Sequence, residues 1–207
     1  MKYLLTLLLA AVFSSVAFSQ SQVKIGKQIW MSKNLDVSTF RNGDTIPEAK
    51  SISEWTTAGS KEQPSWCYYN YDPANGKKYG KLYNWFAVND PRGLAPMGWH
   101  VPSEEEWIVI KLLLQGKGRY CAAGRAIKSK TGWSWYKGTN SSGFSGLPGG
   151  IISGSGYFSW LGEYGYWWSS SQSNGYPRFR SIDNRSDGIS RGNKLKDCGM
   201  SVRCIKD

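Results

Sequence analysis

Apolar and polar residues alternate over residues 23–31, and Gly26 breaks the run near its middle. A period of two with a central glycine predicts a β-hairpin. Asn42-Gly43-Asp44 is a turn signal. The polar stretch 51–64 predicts a loop, in which Ser53-Glu54-Trp55 opens at most one helical turn. Residues 66–69 predict a short aromatic strand, and Asp72-Pro73-Ala74-Asn75-Gly76 a turn. That turn is acidic and amide-rich but lacks the ligand spacing of a calcium-binding EF-hand. Residues 79–89 fit a helix and a buried strand equally well.

The clearest local signal is GWHVPSEEEW, residues 98–107. Ser103 and Glu106 form a capping box: the hydroxyl accepts an orphan amide and the carboxylate reaches back. Trp107, Ile110, Lys111 and Leu114 recur at helical spacing, so a helix runs from Ser103 to about Gln115. Three glutamates in its first turn suit the positive helix end and are helix-start residues rather than a catalytic set. Beyond Gly116 the pattern turns to strand and loop. Residues 133–136, 157–160, 165–170, 176–182 and 201–205 predict short strands, while the glycine-rich 143–150 excludes regular structure. Helices followed by a β-rich, loop-rich half define an α+β protein.

The amino terminus predicts export. Lys2 precedes an apolar run over 4–16, and Ala17-Phe18-Ser19 places small residues at a cleavage point before Gln20. The run is shorter than the roughly 20 residues a bilayer span needs. Residues 1–19 are thus expected to be a signal peptide and residues 20–207 one domain, with no membrane span. With 11 Trp, 12 Tyr and 7 Phe the chain is not disordered, and it has neither a glycine triplet period nor sustained heptads. The lone His100 leaves a His-rich metal site or a Ser-His-Asp hydrolase without support. Lying between Trp99 and Val101, it is expected to be a packed structural residue.

Charge and cysteines then follow from export. The chain carries 26 Lys+Arg against 15 Asp+Glu, a net +11, and loss of residues 1–19 leaves +10. Residues 111–162 contain no acid but hold Lys111, Lys117, Arg119, Arg125, Lys128, Lys130 and Lys137. A one-sign stretch either sets up a field that attracts anions or is a solvated basic surface without a partner. For an exported chain the first reading points to an acidic polysaccharide or cell surface, not to nucleic acid. Cys67, Cys121, Cys198 and Cys204 form an even set, for which an oxidising compartment favours disulfides. Three pairings are open, and no C-x-x-C pair suggests zinc.

Six segments occur in order: VKIGKQIWMSKNL, YGKLYNWFAV, GWHVPSEEEW, GFSGLPGG, GYWWSSS and SVRCIKD. Together they resemble the Fibrobacter succinogenes major paralogous domain family, over residues 23–207. The resemblance implies an exported bacterial domain of the kind common in Bacteroidota and Fibrobacteres. A more distant similarity links the helix opening and the Val-Arg-Cys ending to the formylglycine-generating-enzyme/C-type-lectin fold group. It implies two helices and small antiparallel sheets carrying a long loop-rich C-terminal half, with the first and last strands adjacent. Many relatives have a cysteine where this chain has Ala95. In the lectins that cysteine pairs with the last strand. The similarity therefore implies that Cys67 substitutes as the partner of Cys204, leaving Cys121 for Cys198.

The expected function is a non-catalytic binding or adhesion module. Aromatic rings stack on sugar faces and keep a polar edge; Trp160, Tyr164, Tyr166 and Trp168 are the candidates. Residue by residue, however, the Trp167-Trp168 pair reads as core and the arginines as solvated, and it is the region as a whole that reads as a ligand surface. Arg178, Arg180, Asn184, Arg185, Asp187, Arg191 and Asn193 supply hydrogen bonds to hydroxyls, carboxylates or sulfates. The expected partner is a polysaccharide or another cell-surface ligand, and no cofactor or metal is called for. The lectins' calcium-linked Glu-Pro-Asn and Trp-Asn-Asp motifs are missing. The alternatives are a formylglycine-generating-enzyme-like oxidase, using Cys198 and Cys204, and a structural surface protein that binds other proteins.

Overall fold

The structure, a computed structural model, describes residues 21–115 and 122–207. The expected leader, residues 1–19, and Cys121 lie outside the described residues. The hairpin forms as expected: β1 (Gln22–Ile25) pairs antiparallel with β2 (Gln28–Met31). Gly26 turns it at φ +61°, a conformation that costs glycine little.

Two helices stand where loop and turn were expected, and both are explained by caps. In α1 (Ile52–Ser60) the Ser51 hydroxyl accepts from the Glu54 amide at 3.2 Å, and the Glu54 carboxylate accepts from the Lys50 amide at 2.7 Å. Only Trp55 of this helix is buried, so the polar sequence showed no apolar stripe. β3 (Trp66–Cys67) follows. Asp72 then caps α2 (Pro73–Tyr79) by accepting from the Ala74 amide at 2.8 Å, with Pro73 at the first position, where its missing N–H costs nothing. The ambiguous 79–89 segment holds both elements, β4 (Leu82–Asn84) running straight into α3 (Trp85–Val88).

After β5 (Trp99–His100), the expected helix α4 (Glu104–Leu114) carries the complete Ser103–Glu106 capping box. Then come α5 (Ala123–Ile127), β6 (Gly149–Ile152), β7 (Phe158–Leu161), β8 (Tyr164–Ser173), β9 (Tyr176–Asp183), β10 (Ser190–Asn193), β11 (Gly199–Met200) and β12 (Ile205–Lys206). The class is α+β. The described residues contain five α-helices rather than two, and the C-terminal half carries the longest strands, β8 and β9, rather than mainly loop. Residues 133–136 form no strand. Their amides bond singly, Ser134 to the Gly162 carbonyl and Tyr136 to that of Asn184.

A four-stranded sheet runs β1-β2-β12-β5, so the two ends of the domain lie side by side, with Ile205 opposite Trp30. An eight-stranded sheet runs β10-β9-β8-β6-β11-β4-β3, with β7 on β6. Between them Trp30, Trp107, Phe144 and Trp167 meet with ring centroids 4.8–6.3 Å apart. Each such buried ring stabilises the fold by roughly 1.5–3 kcal/mol. Arg203 is wholly buried at this junction. It donates to the Met31 and Phe144 carbonyls and to Asn34 Oδ1, and lies 4.3 Å over the Phe144 ring.

The disulfide expectation is corrected for the described cysteines. Cys67, Cys198 and Cys204 are buried and unbonded. Cys67 packs with Trp55 and Leu82, whereas Cys204 packs with Trp85 and Val202. Cys67 therefore does not take the place of the cysteine missing at Ala95.

Candidate functional site

Alternation along the β8–β9–β10 ribbon decides which expected residues share a surface. Trp167 faces Arg180, which faces Arg191; Trp168 faces Phe179, which faces Gly192. Successive side chains point to opposite faces. Arg178, Arg180 and Arg191 therefore occupy one face, and Tyr164, Tyr166 and Phe179 the other. The single aromatic-and-arginine cluster expected from sequence proximity is split in two.

The arginine face is covered by the start of α4. Glu104 Oε1 receives Arg180 Nη2 at 2.6 Å, and lies 3.5 Å from both Arg178 Nη1 and Arg191 Nη1. Arg180 is 2% exposed and Glu104 6%. Burial lowers the Arg180 pKa, with Glu104 opposing the shift. Arg180 is thus a fold residue, a correction to its expected ligand role, and Trp168 is another. Trp168 is fully buried against Trp85 and donates to the Tyr83 carbonyl at 2.8 Å. Asn193 lies opposite Arg178 on the exposed edge strand.

The aromatic face carries a ladder. Trp160 meets Tyr164 at 5.4 Å, Tyr164 stacks on Tyr166 at 5.5 Å with 13° between planes, and Tyr166 meets Phe179 at 5.6 Å. Burial, with Tyr164 beside it, pushes the Tyr166 phenol up to about 12, so it stays a neutral hydrogen-bond donor. Trp160 is half exposed and holds φ +69°, strained for a side chain of its size.

The loop over residues 133–138 is tied to the backbone next to this ladder. Ser134 donates to the Gly162 carbonyl at 2.8 Å, Tyr136 to Asn184 at 3.2 Å, and Asn184 to Glu163 at 2.9 Å. Trp135 and Tyr136, 70% and 66% exposed, are thereby anchored beside the turn that bears Trp160. The Arg185 guanidinium lies 6.0 Å from the Trp135 ring. Asn184 itself is buried, a third correction, and Asp187 serves as counter-ion to the buried Lys128 at 3.7 Å. Trp135 and Tyr136 were missed because residues 133–136 suggested a strand. Their signal was an aromatic run between Gly132 and Gly138 in the acid-free stretch.

His100 is not packed. Its ring is 40% exposed and sits 2.7 Å from Asp207 and 2.8 Å from Glu106. Partial burial lowers its pKa, but the two carboxylates together outweigh this and the net shift is upward. No cluster of three His, Cys, Asp or Glu suited to a metal occurs among the described residues, and no helix among them is long and apolar enough to cross a membrane.

Fold and surface together define an α+β domain whose exposed aromatic loops rest on a paired-sheet base. The Fibrobacter succinogenes major domain profile matches residues 23–206, and the chain belongs to that family. No curated protein and no solved structure matches it.

Proposed function

We propose that this protein is an exported, non-catalytic binding module that holds a glycan on the aromatic surface formed by Trp135, Tyr136, Trp160 and Tyr164, with Arg185 at its rim. One observation carries the reading: the loop that bears the exposed Trp135 and Tyr136 is tied by backbone hydrogen bonds to Asn184 and to the turn between β7 and β8, the strands that carry Trp160 and Tyr164. Large exposed apolar groups fixed in this way mark a contact surface, and their flat faces suit sugar rings. A C-type-lectin-like scaffold is supported by the pairing of β12 with β2, which brings the terminal strands together. The oxidase alternative gains no support from the thiols. Burial pushes Cys204 up to about 12 and raises Cys198, so neither is disposed to form a thiolate.

The test is a glycan and cell-wall polysaccharide screen of residues 20–207, with Trp135→Ala and Trp160→Ala as exposed substitutions. Each should weaken binding of a screened glycan roughly tenfold without changing the melting temperature. Full retention of binding in both variants overturns the reading.

A further inference from the structure

A second charged surface lies outside the aromatic cluster, and the acid-free stretch contributes Lys130 to it. A cleft of about 620 Å³ opens between the segment after β2, the end of α2 and the loops that follow α5. Lys33, Lys77, Lys78 and Lys130 line it, and none forms an ion pair among the described residues. The one acid on its wall, Asp36, is already matched by Lys81 at 2.8 Å. The wall therefore presents four cationic groups with no counter-charge of their own.

The floor is rigid and also positive. Asn34 lines the cleft and has both ends of its amide engaged. Oδ1 accepts from Trp167 Nε1 at 2.9 Å and Arg203 Nη2 at 2.7 Å; Nδ2 donates to the Tyr79 carbonyl at 2.8 Å. Directly behind it lies the Arg203 guanidinium, whose acceptors are all neutral oxygens. A buried cation without a carboxylate partner projects a fixed field into the cleft above it. Two more lining residues, Asn140 at φ +51° and Ser145 at φ +55°, are held in the left-handed region by bonding each other, Asn140 Nδ2 to Ser145 Oγ at 2.9 Å. Such strain persists only where the surroundings enforce it, and it leaves the wall pre-shaped.

We propose that this cleft is an anion subsite that takes the carboxylate or sulfate groups of an acidic polysaccharide. The proposal rests on the glycan reading above and specifies its ligand class. Both surfaces belong to one run of chain: Lys130 and Trp135 are five residues apart, at most about 18 Å when extended. Trp133, between them, donates to Ser129 Oγ at 3.1 Å and pins the loop. A polymer crossing the loop meets rings at one end and lysines at the other.

The experiment uses three polymers at low salt: polygalacturonate, dextran sulfate and unmodified dextran. The parent should bind both acidic polymers, with affinity falling as salt rises because exposed charges are screened beyond about 10 Å at 0.1 M. The triple variant Lys33→Gln, Lys77→Gln, Lys130→Gln should bind them roughly tenfold more weakly and melt as the parent does. A control of equal net charge, Lys27→Gln, Lys61→Gln, Lys206→Gln, should bind as the parent. Equal weakening in the two triples means diffuse charge attraction and overturns the subsite, as does a parent that ignores both acidic polymers. The Trp135→Ala, Trp160→Ala double variant separates the two ideas. If it alone loses binding, the cleft is wrong and the aromatic surface stands; if only the cleft triple loses it, the aromatic reading falls and the cleft stands.

Discussion

Glu104 is the residue on which the long ribbon depends, and Glu104→Gln tests this. Arg180 and Arg191 are direct cross-strand neighbours, an arrangement of like charges that destabilises a sheet. Glu104 Oε1 answers that repulsion with a 2.6 Å contact to Arg180 and two at 3.5 Å to its neighbours. Arg180 Nε and Glu104 Oε2 have no hydrogen-bond partner, and Glu104 is the carboxylate that pairs with all three arginines among the described residues. Removing one member of a buried pair leaves an uncompensated charge and costs about 3–5 kcal/mol. For a domain of this size that is roughly 6–20 °C in melting temperature. Urea unfolding of the parent, Glu104→Gln, Arg180→Met and the double variant closes a thermodynamic cycle. The double variant should recover much of the loss, because the stranded cation is gone. High salt should not rescue Glu104→Gln, since screening acts on exposed charges. The exposed Arg92–Asp44 pair supplies the comparison, and Asp44→Asn should move the midpoint far less. A Glu104→Gln variant as stable as Asp44→Asn would refute the reasoning.

Two further predictions concern the same helix. Ser103→Ala removes the hydroxyl that accepts the Glu106 amide and should cost about 1 kcal/mol in denaturant unfolding, while Ser103→Asp should cost much less. His100 gains its two carboxylate partners on folding, which raises its pKa above 6.5. Its contribution is therefore fully present below that value and lost as pH rises through the folded-state pKa. Stability compared between about pH 5 and about pH 8 should show a component that His100→Ala abolishes; an unchanged difference in that variant would refute it.

What was legible in the sequence was local. The hairpin at residues 23–31 and the capping box at Ser103 depend on residues within one turn of each other, so their pattern is sufficient. The capped helices at residues 52–60 and 73–79 were written in Ser51 and Asp72. They were obscured because neither helix buries a stripe of apolar residues, and a turn uses the same residue types.

The sequence by itself determined the α+β class, the family, the helix start and the concentration of aromatic and cationic side chains. Tertiary structure alone decided which of those side chains meet water. Neighbours such as Trp167 and Trp168 point to opposite faces, and both are buried because the ribbon is covered on both sides. Arg180 was drawn inward by Glu104, 76 residues away, whereas Trp135 was left exposed by loops anchored at Gly162 and Asn184. Burial is a property of what packs on a face, and for these residues the covering element comes from distant parts of the chain. The gathering of Lys33, Lys77, Lys78 and Lys130 around one cleft has the same cause, since three separate segments converge there.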